Sequence, residues 1–219
     1  MLKVFIGVGH GGSDPGATGF LVEKTVNLVQ ALACRDYLID HGIDVLMSRI
    51  KDENCDINKR ISMCNSFNPA LAIDIHNNAG GGDGAEFFYH YGAGTSKTLA
   101  ENLEQEVLQI GQNSRGIKTK INNNNSDYFA FIRETACPAV IAEGCFVDNQ
   151  TDITICDTIP EQQEFGKAYA KAILRTLGVT DTPKLYRVQV GAFTHKENAL
   201  NLQKELQNQG IKDSFIAYS

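Results

Sequence analysis

The stretch Lys3-Val4-Phe5-Ile6-Gly7-Val8-Gly9-His10-Gly11-Gly12 opens the chain with a short apolar run that breaks into a glycine-rich turn. It reads as a first β-strand ending in a loop. Downstream, Val22, Val26, Val29, Ala33 and Tyr37 recur at three- and four-residue spacing, the stripe of an amphipathic helix over Glu23 to Asp40, and His41-Gly42 closes it. The alternation then repeats. Strand-like runs lie at Ile43 to Ser48, Leu71 to Ile75, Ala85 to Tyr91 and Pro138 to Ala142. Helical stripes run through Ile57, Ile61 and Cys64 up to Asn68-Pro69, through Leu99, Leu103, Val107 and Ile110, and through Phe165, Tyr169, Ala172 and Ile173 up to Gly178. Strands alternating with helices predict an α/β fold, a mostly parallel sheet flanked by helices on both faces.

The 219 residues suit one full domain with a small appendage. A composition shift near Thr180-Asp181-Thr182-Pro183 places the division: residues 1–179 as the main domain, 180–183 as linker and 184–219 as appendage. In that appendage Leu185 to Phe193 alternates as a strand, Lys196 to Gln209 as a helix and Ser214 to Tyr218 as a second strand, a small βαβ unit. The net charge of −6, without clustered Lys and Arg, argues against nucleic acid as partner. No apolar run approaches the ~20 residues that span a bilayer, so no membrane partner is expected. The first residues read as a strand rather than a signal peptide, which predicts a chain made in the cytoplasm. Six cysteines without a C-x-x-C pair read as reduced, buried thiols.

His10 follows the first strand, Glu23 opens the first helix and His76 follows the third strand, at the carboxyl ends of strands where α/β folds place their sites. Two imidazoles and a carboxylate form a recurrent catalytic zinc set, because a fourth position stays open for water. Glu143, ending the apolar strand, is the candidate proton carrier. Other readings stand beside these. Glu23 is also a first-turn carboxylate favoured by the helix dipole, and Glu143 also has Arg133 or Arg49 as a possible salt-bridge partner.

From Val4 to about Leu177 the chain resembles the Amidase_3 family of N-acetylmuramoyl-L-alanine amidases. The matching stretches are His10-Gly11-Gly12 with Asp14-Pro15-Gly16-Ala17, Glu23-Lys24, Ser48-Arg49, Arg60, Ile75-His76-Asn77-Asn78-Ala79, Gly84-Ala85-Glu86 with Tyr89, Arg115-Gly116-Ile117-Lys118, and Phe131-Ile132-Arg133-Glu134-Thr135 leading to Pro138-Ala139 and Glu143. The resemblance implies zinc (Zn2+) held by His10, Glu23 and His76, with Glu143 as the catalytic carboxylate, and hydrolysis of the amide between N-acetylmuramic acid and L-alanine in peptidoglycan. Cys145 departs from the pattern, standing where the family usually has glycine, and Gly7 and Gly9 are unusual in the first strand.

The appendage resembles the first half of a SPOR domain, a module that binds glycan strands stripped of peptides. It has too few residues to hold a core alone, which predicts either a homodimer rebuilding one sheet from two copies or packing on the chain's own main domain. Without an export signal, the expected setting is a phage endolysin or a bacterial lysin acting on the cell wall after release. Two rival readings are a zinc peptidase cutting within the stem peptide and a non-catalytic wall-binding protein.

Overall fold

The computed structural model describes residues 1–92, 94–182, 189–212 and 214–217. The chain divides into two compact units, Met1–Lys184 and Leu185–Ser219. In the first unit the strands are β1 (Lys3–Val8), β2 (Asp44–Met47), β3 (Leu71–Asn78), β4 (Ala85–Tyr89), β5 (Ser114–Lys118) and β6 (Ala139–Phe146). Its helices are α1 (Glu23–Asp40), α2 (Ile57–Phe67), α3 (Thr95–Gln109), α4 (Ala130–Glu134), α5 (Gln150–Ile153) and α6 (Ile159–Thr176), while α7 (Lys196–Asn208) belongs to the second unit.

The six strands form one sheet in the order β2-β1-β3-β6-β4-β5. All neighbours are parallel except β4 and β6, which run antiparallel. Alternation along the strands supplies two cores. Val4, Ile6 and Val8 of β1, Leu71, Ile73 and Ile75 of β3, and Val140 and Ala142 of β6 face the layer of α1, α3 and α6. Phe5, Ala72 and Ile141 face the other way, toward α2 and α4. Local chemistry sets the helix ends. Asp56 caps α2 by accepting from the Lys59 N–H, Asn68 ends it in the left-handed region, and Thr158 with Glu161 forms a capping box at α6.

The α/β expectation holds, with helices on both faces. The differences are local. β3 runs on to Asn78 and β6 to Phe146, so His76 and Glu143 lie within strands rather than beyond them. β5, at the sheet edge, was absent from the pattern because Ser114-Arg-Gly-Ile-Lys carries a single aliphatic residue. Asp181 is tied to α1 by hydrogen bonding with Tyr37 (2.8 Å) and by His41 (3.1 Å).

In the second unit the expected helix is present. The expected flanking strands are a correction: residues 189–193 and 214–217 form no strand, and the remainder of those segments, 185–188 and 218, lies outside the described residues. A strand requires a ladder partner, and none is present among the described residues of this unit.

Candidate metal and catalytic site

Parity along the strands builds the site. Gly7 and Gly9 share the face of Phe5, Asp74 and His76 that of Ala72, and Glu143 that of Ile141. The ladders place His76 beside Glu143 and Glu143 beside Glu86. His76, Glu143 and Glu86 thus form a row across three adjacent strands on the α2/α4 face. The two unusual glycines, Gly7 in β1 and Gly9 just beyond it, are explained here. A β-carbon on Gly7 would collide with the Asp74 carboxylate, and one on Gly9 with the His76 ring.

His10 sits in the left-handed region (φ 59°) at the start of the loop leaving β1. That loop folds back through reciprocal Gly11–Asp14 backbone bonds and brings Gly16 against Glu23 and His10, where no β-carbon fits. α1 begins at Val22 without a side-chain cap, and its first residue, Glu23, turns its carboxylate into the site.

Glu23 is buried between the two imidazoles. Its Oε2 is 3.2 Å from His10 Nε2 and its Oε1 is 2.9 Å from His76 Nδ1. Backbone N–H groups of Ala17 (2.7 Å) and Asn77 (3.1 Å) also donate to it. The second nitrogen of each ring meets an aspartate: His10 Nδ1 lies 2.8 Å from Asp14, and His76 Nε2 lies 3.4 Å from Asp74. Asp74 is itself paired with Arg60 at 2.8 Å. Among the described residues, His10, Glu23 and His76 are the one group of three ligand-type side chains whose donor atoms all lie within 4.8 Å of one another.

Burial works against the Glu23 charge, but the hydrogen bonds of His10 and His76 outweigh it and hold the carboxyl well below the usual range. Burial likewise opposes charge on His76, yet Asp74 and Glu23 prevail and raise it to about 10. The Glu23 hydrogen bond also raises His10. Glu143 differs: burial dominates and pushes it up to about 7. Among the described residues no hydrogen-bond donor reaches its carboxylate, so it is poised to exchange a proton near neutrality.

The alternative partners of Glu143 are otherwise engaged. Arg49 is buried and clamps the carbonyls of Gly9 (3.0 Å), Lys24 (2.8 Å) and Lys51 (3.2 Å). Arg133 holds the carbonyls of Asp127 and Tyr128 and pairs with Glu134, beside Cys137 and Ala139 at the far end of β6. Asn77 is buried against Asn27 (2.7 Å) and Gln30 (3.0 Å).

Cys145 also faces away from the site. Between His76 and Asn78 of β3 the partner strand advances from Glu143 to Phe146, a bulge that sends Gly144 and Cys145 toward α6. The freed Cys145 N–H donates to Asn77 Oδ1 at 3.1 Å, and its thiol lies 3.2 Å from that of Cys156. Sequence reading missed Asp74 and the orienting role of Asp14. The signal for Asp74 was present, an acid two residues before His76 and hence on the same strand face.

The model of the family described as N-acetylmuramoyl-L-alanine amidase, Amidase_3, matches residues 4–175. The SPOR domain model matches residues 162–217, a span that starts inside α6 of the first unit. The chain is 34% identical over 224 residues to the N-acetylmuramoyl-L-alanine amidase CwlM of Bacillus licheniformis, covering 100% of this chain and 85% of that protein. It is 35% identical over 223 residues to the sporulation-specific N-acetylmuramoyl-L-alanine amidase of Bacillus subtilis (strain 168), covering 99% and 84%. The solved structure of Cwp6 from Clostridium difficile superposes with a TM-score of 0.79 at 35% identity, over 80% of this chain and 29% of that longer one.

Proposed function

Because the chain belongs to the Amidase_3 family of N-acetylmuramoyl-L-alanine amidases, we propose that it hydrolyses the amide bond joining N-acetylmuramic acid to L-alanine in peptidoglycan. The observation that carries the reading is the convergence of His10, Glu23 and His76 beside Glu143, whose carboxylate has no hydrogen-bond donor among the described residues.

The donor set fits zinc. A buried carboxylate lies between two imidazoles, and the outward nitrogen of each ring meets an aspartate, the arrangement that orients metal-bound histidines. His10 Nε2, the Glu23 carboxylate and His76 Nδ1 would hold the ion. When bound, zinc supplies Lewis acidity toward the amide carbonyl and lowers the pKa of water. Glu143 takes the proton from the attacking water and returns it to the departing alanine amine. Its elevated pKa suits both halves of that transfer. Asp14 and Asp74 keep the rings turned toward Glu23, and Arg60 neutralises Asp74 in the buried layer beneath.

Chelation tests the metal requirement: activity on purified walls falls away and returns on adding zinc. Glu143→Gln retains zinc and loses roughly 10²–10⁴-fold in turnover, the range for a lost general acid–base. A Glu143→Gln protein as active as wild type would remove the assigned role.

For the C-terminal segment, residues 184–219, the SPOR match supports binding of glycan strands; pairing with a second copy is a separate role for the same segment. α7 buries none of its residues, and Leu200 is exposed. Light scattering of the full chain against a form ended at Thr182 decides between monomer and dimer. No helix among the described residues is long and apolar enough to cross a membrane.

A further inference from the structure

The row that carries His76 and Glu143 continues to Glu86 on β4, and there the charge changes sign. Glu86 is buried, and its Oε1 accepts from both Arg115 Nε and Lys118 Nζ (2.8 Å) of the edge strand β5. Two cations on one carboxylate leave one positive charge in excess. Both are open to solvent, with Arg115 at 43% and Lys118 at 34% side-chain exposure.

Arg115 is held in a defined pose. Its Nε is tied to Glu86, and its guanidinium lies 5.5 Å from the ring of Phe146, three residues beyond Glu143. Among the described residues its Nη1 and Nη2 have no hydrogen-bond partner, so the outer fork of the guanidinium is free. That fork matches a carboxylate in two-point geometry. Lys118 Nζ likewise uses one of its donors on Glu86 and keeps the others.

The spacing suits the proposed substrate. Strands lie about 4.8 Å apart, so β4 stands roughly 10 Å from β3, which carries His76. An extended peptide advances about 3.5 Å per residue. A chain leaving the metal site across Glu143 reaches the Arg115 and Lys118 donors with its second or third residue. Neutralising Glu86 requires only one cation, so the second cation and the open fork are available to a ligand.

Resting on the amidase reading, we propose that Arg115 and Lys118, positioned by Glu86, bind a free carboxylate on the second residue of the peptide beyond the scissile amide, counting the alanine as the first, and select substrates that carry it. The proposed hydrolysis stays the same; this pair sets which peptide is cut fastest.

The test uses the zinc-loaded full chain and two synthetic muramoyl-L-alanyl peptides, one with a free carboxylate on its second residue and one with that group amidated. The wild type prefers the acid by roughly tenfold in kcat/KM, with the difference in KM, the scale of one charged hydrogen bond. Lys118→Met and Arg115→Gln bring the acid-to-amide ratio toward one, and Lys118→Arg restores it. Equal use of both peptides by the wild type, or a ratio unmoved by both variants, overturns the proposal. If the wild type cuts neither peptide at the muramoyl–alanine bond, the amidase reading fails first and the proposal with it.

Discussion

A β-carbon added to Gly9 would fall on the imidazole of His76, with Cε1, Nε2 and Nδ1 of that ring as its three nearest atoms. The glycine is a space requirement imposed across the β1–β3 ladder, because side chains on the same sheet face compete for the same volume. Gly9→Ala therefore keeps the sheet but displaces the ring. Zinc affinity, read by competition with a chelator, drops at least roughly tenfold, the lower range for a disturbed metal-ligand environment. Wild-type affinity in Gly9→Ala would show that the ring has room to move.

Asp14 is 63% exposed and bonds His10 Nδ1 at 2.8 Å. Removing it leaves the fold intact and frees the imidazole to rotate. Asp14→Ala loses about 10–100-fold in zinc affinity, with little change in thermal midpoint. The same chelator competition, paired with a melting curve, separates orientation from folding.

Asn77 joins three elements at once, bonding Asn27 and Gln30 of α1 and receiving the Cys145 N–H of β6. Its loss leaves buried polar groups unsatisfied. Asn77→Ala costs about 2–3 kcal/mol, measured as a lowered urea midpoint with unchanged slope.

Burial raises the Glu86 pKa, but Lys118 and Arg115 outweigh it and the net shift is downward from 4.5. A depressed carboxylate contributes stability that is present above its unfolded value and is lost as pH falls through the folded one. Wild-type stability therefore declines more steeply on acidification than that of Glu86→Gln. Urea midpoints at pH about 7 and about 3.5 show the two curves converging in acid. Parallel curves would mean that the partly exposed cations are screened too well to matter.

Much of this was legible in the chain because periodicity reports burial. The α1 stripe from Val22 to Tyr37 gave that helix its true limits, and the alternation around Val4 and Leu71 located the central strands. His10 follows β1 and Glu23 opens α1, whereas His76 lies inside β3 rather than beyond it, and the three side chains meet. What stayed hidden depends on pairing between distant segments. That Gly7 and Gly9 yield space to Asp74 and His76 follows from strand register, which periodicity does not encode. The bulge that turns Cys145 away from the site has the same origin. β5 was missed because an edge strand needs few apolar residues, and its cations are the ones that meet Glu86.

The most direct test of the account is mass spectrometry of purified peptidoglycan after digestion by the zinc-loaded protein. The account predicts stem peptides released with a free amine on L-alanine, and glycan strands whose muramic acid carries a free lactyl carboxylate. Peptides cut between later residues, with L-alanine still attached to the glycan, would contradict it.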